Sequence, residues 1–313
     1  MAESRCVAVG GVQVSALHHS RRPVDMMAGV AMLAFCLALG LQQVAIKAIA
    51  AEVPPLTQIA IRSLLAALLV GGLMVWRGIR FAELRAGLGP GLLVGLGFTF
   101  EFVFVAVGLN YTLASHMSVF LYTAPIFAAL GLHFLVPGEQ LVKRQWLGMM
   151  IAFGGLVVAM APIGGVSVNG ATLLGDMLGL LAGASWAMTT LVLRRSSLSE
   201  APPLQTLFYQ LVTAAMLLLP VAALRGDLGN MAVTTSAVTS LAFQTFVISF
   251  GVLLLWFALL RRYLASQLGV LSFLAPIFGV MFGAMLLEEP LTTSFLIGGV
   301  ILLGGVMLVT RPT

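Results

Sequence analysis

Charge is the scarcest property of this sequence. Lys, Arg, Asp and Glu together make up 9% of its 313 residues, against about 25% in a soluble domain. A globule facing water on all sides is therefore excluded, and most of the surface must face something apolar. Cysteine is scarcer still. Cys6 sits in a polar N-terminal stretch and Cys36 in the first apolar run, which leaves no disulfide framework and no metal-ligand spacing. No Gly-rich phosphate loop ends in Lys-Ser or Lys-Thr, so nucleotide hydrolysis has no seat. The apolar runs also lack a nucleophile with its base, a pair of acids, and a His-Glu-x-x-His motif. These absences point away from an enzyme, a metal and a resident cofactor. The net charge of +5 does not imply nucleic acid, because the basic residues lie in short loops and form no basic face.

What is present is apolar length. Hydrophobic residues make up 60% of the chain and mean hydropathy is +1.08. About 20 such residues span a bilayer as a helix. Runs of that kind fall at 26–47, 55–76, 88–109, 114–136, 146–162, 175–193, 203–224, 238–259, 265–287 and 291–310. Pro54-Pro55, Pro137-Gly138, Gly164-Gly165, Pro202-Pro203 and Pro290 punctuate the breaks. The expected class is an all-α membrane protein of ten transmembrane helices. Residues 1–24 are polar, do not resemble a cleaved signal peptide, and read as a mobile cytoplasmic tail; Met26-Met27 leave a later start open. Basic residues orient the bundle. Arg77, Arg80, Arg85, Lys143, Arg144, Arg194, Arg195, Arg261 and Arg262 fall on one side and Arg225 on the other. Both termini are then cytoplasmic, in a multi-pass protein of the inner (plasma) membrane.

The chain also repeats itself at about 150 residues. Leu113-Ala114-Ser115 returns as Leu264-Ala265-Ser266, and Ala124-Pro125-Ile126-Phe127 as Ala275-Pro276-Ile277-Phe278. Asp25-Met26 matches Asp176-Met177, Glu139-Gln140-Leu141 matches Glu289-Pro290-Leu291, and Gly154-Gly155 matches Gly304-Gly305. Two repeats are expected, 25–162 and 163–313, each with five helices. Five is odd, so the second copy enters the membrane from the opposite side. Such inverted-topology repeats enclose a site near the midplane in secondary transporters. A passive channel or an inert scaffold is the rival reading.

These residues carry a resemblance. The segment from Ala114-Ser115 to Ala124-Pro125 followed by Gly138-Glu139, and its copy from Ala265-Ser266 to Ala275-Pro276 followed by Glu289-Pro290-Leu291-Thr292, resemble the drug/metabolite transporter superfamily, in particular its EamA-type ten-helix exporters. Glu101 and Tyr122 are similar to those of the aromatic-amino-acid exporter group, whereas Phe35 stands where many relatives carry Trp. The resemblance implies export of an amino acid, another metabolite or a drug, through a cavity lined by helices one, three, four, six, eight and nine. It implies alternating access without a cofactor, and the partners expected are a small-molecule substrate and the lipid bilayer, for a monomer.

Within the runs, Pro125 and Pro276 stand near the middle of helices four and nine and free the carbonyls of Leu121 and Ser272. Both are expected hinges, with a packing kink that has no role in transport as the rival reading. Glu101 is the sole carboxylate deep inside a run, and Arg62 lies at similar depth. Either the two form a structural pair, or Glu101 binds a substrate amine or carries a proton. The expected substrate-contacting aromatics are Phe35, Phe102, Tyr122, Trp186 and Trp256. The expected polar contacts are Gln42, Gln43, His116, Gln267 and Ser272, with His116 and Gln267 as equivalent gate positions.

Overall fold

The computed structural model describes residues 21–79, 81–112, 114–161, 170–288 and 293–310, with the backbone alone at 81–83, 114–116 and 287. Among these residues the secondary structure is helical, apart from one isolated bridge between Arg22 and Tyr263. The helices are α1 (Met26–Ala48), α2 (Pro55–Trp76), α3 (Leu88–Gly108), α4 (Ala114–Leu121), α5 (Ala124–Leu135), α6 (Lys143–Ala159) and α7 (Gly170–Arg195). They continue as α8 (Pro203–Leu224), α9 (Asp227–Asn230), α10 (Thr235–Ala242), α11 (Leu253–Arg262), α12 (Ala265–Leu271), α13 (Leu274–Leu287) and α14 (Thr293–Thr310). A π-helical stretch, Phe243–Val252, joins α10 to α11 as one span. Helix starts follow local chemistry. The Asp25 carboxylate accepts from the Ala28 amide at 2.8 Å, and α2 and α8 open on proline, which needs no partner for a missing amide hydrogen.

Nine of the described helices are long and apolar enough to cross a membrane. The remaining apolar run, the fifth, forms α6, which has 17 residues and a length of about 26 Å at 1.5 Å per residue. That is slightly short of a hydrocarbon core of about 30 Å. It packs along α14 backbone to backbone. A Cβ on Gly298 would come within 2.2 Å of the Ala159 nitrogen, and one on Gly305 within 2.3 Å of the Ala152 nitrogen. Gly155 thus lies against Gly298 and Leu302, and Gly305 against Gly148 and Ala152; small residues suit such contacts where lipid supplies no hydrophobic drive.

Helices four and nine are each broken ahead of the expected proline. Between α4 and α5 the Thr123 amide bonds the Phe120 carbonyl at 3.2 Å, and between α12 and α13 the Phe273 amide bonds the Val270 carbonyl at 3.2 Å. These tight i→i+3 turns replace the α-helical ladder that proline interrupts. Freed carbonyls in hydrocarbon must meet protein. Gly183 of α7 lies against the Phe120 and Leu121 carbonyls, and the Cys36 thiol donates to the Leu271 carbonyl at 3.5 Å.

The tail differs from expectation where it is described. Arg21 to Val24 lie against the bundle instead of running free: the Arg22 amide donates to the Arg262 carbonyl and the Leu264 amide to the Arg22 carbonyl, both at 3.0 Å. Residues 1–20 lie outside the described residues. The end of the bundle where α1 begins is called the N-face below.

Candidate functional site

The centre of the bundle is aromatic. Phe35 stacks on Trp256 with ring centroids 5.1 Å apart, Trp256 meets Trp186 at 6.5 Å, and Trp186 meets Tyr122 edge-on at 5.5 Å. Tyr122 in turn lies 6.5 Å from Phe273. Phe35 and Trp186 are equivalent positions of the repeat, and so are Tyr122 and Phe273. Phe273 was not among the expected residues, although its spacing from Tyr122 is that between Phe35 and Trp186. Beside Trp186 and Trp256, a narrow cleft with room for about one water molecule is lined by Pro125, Thr190, Ala265 and Gly269.

A polar layer lies between this cluster and the face opposite the N-face. Arg62 is seven residues into α2 and Glu101 seven residues from the end of α3, about 10 Å along each helix. Arg62 is 1% exposed, with its guanidinium carbon 5.3 Å from the centroid of the Phe102 ring. It reaches Gln244 of the π-helical stretch by a long 3.5 Å contact, while Gln244 donates to Gln58 at 2.7 Å. Its Nε finds no hydrogen-bond partner among the described residues. Glu101 is half-buried and interacts electrostatically with Arg62 and Tyr122. No nitrogen–oxygen contact within 4.0 Å joins Glu101 to Arg62. A guanidinium and a carboxyl group are thus held near each other without touching. Gln244 and Gln58 were also not expected; the π-helical turn that aims Gln244 inward leaves no mark in the hydrophobic pattern.

The remaining candidates are dispersed. Gln42 is buried with its Oε1 unpartnered, and Gln43 is exposed beside Gly279 of α13. Ser272 is buried at the helix break and donates to the Gly269 carbonyl at 2.6 Å. Gln267 accepts from the Val24 amide at 2.8 Å. The His116 side chain lies outside the described residues. Pro125 and Pro276 are buried or packed at the starts of α5 and α13.

The two faces are closed differently. At the N-face, Arg194 at the end of α7 meets Glu139 at 3.1 Å, both side chains being 3% exposed. The other Glu139 oxygen accepts from the Ala265 amide at 2.9 Å, and Arg194 donates to the Tyr263 carbonyl at 2.5 Å. Burial pushes the Glu139 carboxyl above its ordinary range, against the pull of the Arg194 guanidinium. All seven residues of α12 are buried, and α12 packs on α5, with Gly269 against Pro125. The equivalent elements at the opposite face are α4 and α13. They make at most marginal contact among the described residues, and Ser118 to Leu121 of α4 are only half-buried. One hydrogen bond is nevertheless made at both faces by equivalent residues. Tyr263 donates to Asp25 at 3.0 Å at the N-face, and Thr112 to Asp176 at 2.6 Å at the other.

An all-helical bundle with nine described helices long and apolar enough to cross a membrane, a buried ion pair and an aromatic centre is a multi-pass membrane protein. The sequence matches the EamA-like transporter family twice, over residues 26–161 and over 173–311, and the chain belongs to that family. It is therefore a secondary transporter and not an enzyme. It is 28% identical over 293 residues to a probable amino-acid metabolite efflux pump of Escherichia coli, covering 88% of this chain and 92% of that one. It is 26% identical over 260 residues to a transporter of Archaeoglobus fulgidus, covering 83% of this chain and 89% of its relative. A solved crystal structure superposes with a TM-score of 0.74 at 20% identity, covering 90% of this chain and 94% of the other, which is a likeness of fold.

Proposed function

We propose that the protein exports zwitterionic amino acids, aromatic ones among them, by alternating access between two inverted five-helix repeats, 25–162 and 163–313. The observation that carries the substrate is the split charge pair beside an aromatic floor. Arg62 and Glu101 are close enough to interact yet out of contact, and Arg62 keeps an unpartnered Nε. A free amino acid presents a carboxylate and an ammonium a few ångströms apart, which would complement both groups, while an apolar side chain would meet Tyr122, Trp186 and Trp256. The cost of holding a charge inside the membrane, several kcal/mol by most measures, is offset when each charge gains its counterpart. The E. coli relative's name, an amino-acid metabolite efflux pump, agrees with this reading.

The mechanism follows from the repeat. The family matches twice along the chain, and the Asp25–Tyr263 and Asp176–Thr112 bonds join equivalent residues at opposite faces. Both support inverted copies. The excess of Lys and Arg at the N-face makes it cytoplasmic, so the structure corresponds to a state shut to the cytoplasm and loosened outward. The breaks ahead of Pro125 and Pro276 act as the hinges between states.

Proteoliposomes loaded with labelled amino acids test the reading. Wild type should export phenylalanine and leucine, and Glu101→Gln should lose at least tenfold of that export at unchanged folded yield. Failure to move any amino acid, with transport of a compound lacking either charge, would overturn it.

A further inference from the structure

The N-face carries a closure that its counterpart lacks. Residues Arg21 to Asp25 cross it as a strap with an anchor at almost every position. Arg21 donates to the Ser199 carbonyl at 2.9 Å and pairs with Glu200 at 2.6 Å, on the connection between α7 and α8. Arg22 exchanges two backbone hydrogen bonds with the connection between α11 and α12. The Val24 amide is bound by Gln267 of α12, and Asp25 receives the Tyr263 hydroxyl. Three parts of the bundle are joined in this way: the start of α1, the α7–α8 connection, and the α11–α12 junction. Beneath the strap lie the Glu139–Arg194 pair and the fully buried α12.

At the opposite face the repeat-equivalent of this segment precedes Asp176. There the chain is already helical, because α7 begins at Gly170, whereas α1 begins only after Asp25. The strap is therefore absent from the second copy and cannot be a by-product of the duplicated fold. Its geometry also conflicts with an open N-face. Opening must move α12 away from α5 and the α7 on which α5 packs, so the strap must give up either the Arg21 contacts to Ser199 and Glu200 or the Arg22 and Val24 contacts to the 262–267 segment.

We propose that Arg21 to Val24 form a gate strap, with Gln267 as its receptor on α12, and that the strap must leave before the N-face opens. The strap biases the access equilibrium towards the state shut on that side. This concerns the equilibrium between conformations and holds whichever substrate the centre carries.

The test uses the full-length protein with Cys6 and Cys36 replaced by serine and a single cysteine at Ser266, which is 1% exposed on α12 beneath the strap. Inside-out vesicles present the N-face to an impermeant maleimide, and labelling is followed over time without substrate. One variant deletes residues 2–24 but keeps Asp25, and with it the cap of α1. Gln267→Leu removes only the receptor, and Gln267→Glu restores an oxygen acceptor. The deletion and Gln267→Leu should each label about tenfold faster, and Gln267→Glu should label at the parent rate. Equal labelling in parent, deletion and Gln267→Leu would overturn the strap. If the deletion does not fold, Gln267→Leu against Gln267→Glu decides alone, and equal rates in those two would also overturn it. Faster labelling in a protein that moves no amino acid would leave the strap standing and remove the substrate assignment.

Discussion

The two faces of this bundle are built from the same repeated parts but are closed by different means. At both, an aspartate near the N-terminal end of a long helix takes a hydroxyl from the end of another span: Asp25, the cap of α1, from Tyr263, and Asp176, the seventh residue of α7, from Thr112. Beyond that shared bond they diverge. The N-face adds a buried ion pair, a strap and tight packing of α12 on α5, whereas α4 and α13 make at most marginal contact among the described residues. The opposite face has exposed bonds in which Glu52 accepts from Thr234 and Ser236, and one in which the buried Thr57 donates to Asp227. In the proposed alternating access, a symmetric framework supplies the ability to open on either side. The residues that break the symmetry choose which side is open at rest.

The largest effect on this comparison should come from the buried pair. Removing one partner leaves a desolvated charge uncompensated, which costs about 3–5 kcal/mol. Glu139→Leu should therefore destabilise the shut N-face severely, seen as rapid labelling of a cysteine at residue 266 or as loss of folded protein. Replacing both, Glu139→Leu with Arg194→Met, should recover most of the loss. If the double variant is no better than the single one, the pair does not act as a unit and the proposed difference between the faces loses its main support.

A second effect concerns what the halves share. Gly155→Leu and Gly305→Leu place side chains where backbone atoms stand within 2.4 Å and 2.3 Å of the new Cβ. Each should cost about 3 kcal/mol or more, since overpacking a tight contact costs about 1–3 kcal/mol even where side chains can yield. Gly154→Leu and Gly304→Leu meet nothing within 4 Å and should be close to neutral. Thermal unfolding in detergent separates the two outcomes, and equal losses at all four positions would mean that α6 and α14 do not pack as described.

The shared aspartate bonds should give a smaller, sharper result. Tyr263→Phe and Thr112→Val each remove one membrane-edge hydrogen bond, worth about 1 kcal/mol. Both should lower stability similarly, yet only Tyr263→Phe should raise N-face labelling. Equal effects on labelling would make the two faces alike. The smallest effect is on pH. Shut and desolvated, Glu139 is pushed up, while in an open, hydrated N-face it returns towards about 4.3. The shut state thus holds its proton to higher pH, and acidification should favour the shut N-face, read as N-face labelling that slows more than that of a fully exposed control cysteine, whose rate carries the thiol's own pH dependence. The groups acting on Glu139 are Arg194, Arg21 and the Ala265 and Ser266 amides. Glu139→Gln should flatten the dependence.

Much of this architecture is visible in the residue pattern, because a membrane imposes one rule. Every apolar run long enough to span forms a helix, and the shorter 17-residue α6 does so against α14. The repeat spacing also pairs Phe35 with Trp186 and Asp25 with Asp176, and the first pair meets through Trp256. Other features depend on geometry that spacing does not encode. The strap is held largely by backbone amides and carbonyls, which are identical at every residue, so a polar tail shows no sign of it. Gln267 looks like a cavity residue by composition and is taken by Val24 instead. Arg62 and Glu101 share a depth, as counting residues indicates. Whether they touch depends on helix rotation and on a π-helical turn in a neighbouring span, neither of which hydrophobic periodicity records.

The central claim is that the resting protein is shut at the N-face and loosened at the other. Single cysteines at Ser266 on α12 and Ser118 on α4, in a background with Cys6 and Cys36 replaced by serine, report the two sides directly. In substrate-free membranes, impermeant maleimide applied from the opposite face should label residue 118 at least tenfold faster than reagent applied from the N-face labels residue 266. Comparable rates from the two sides, or faster labelling of residue 266, would contradict the account.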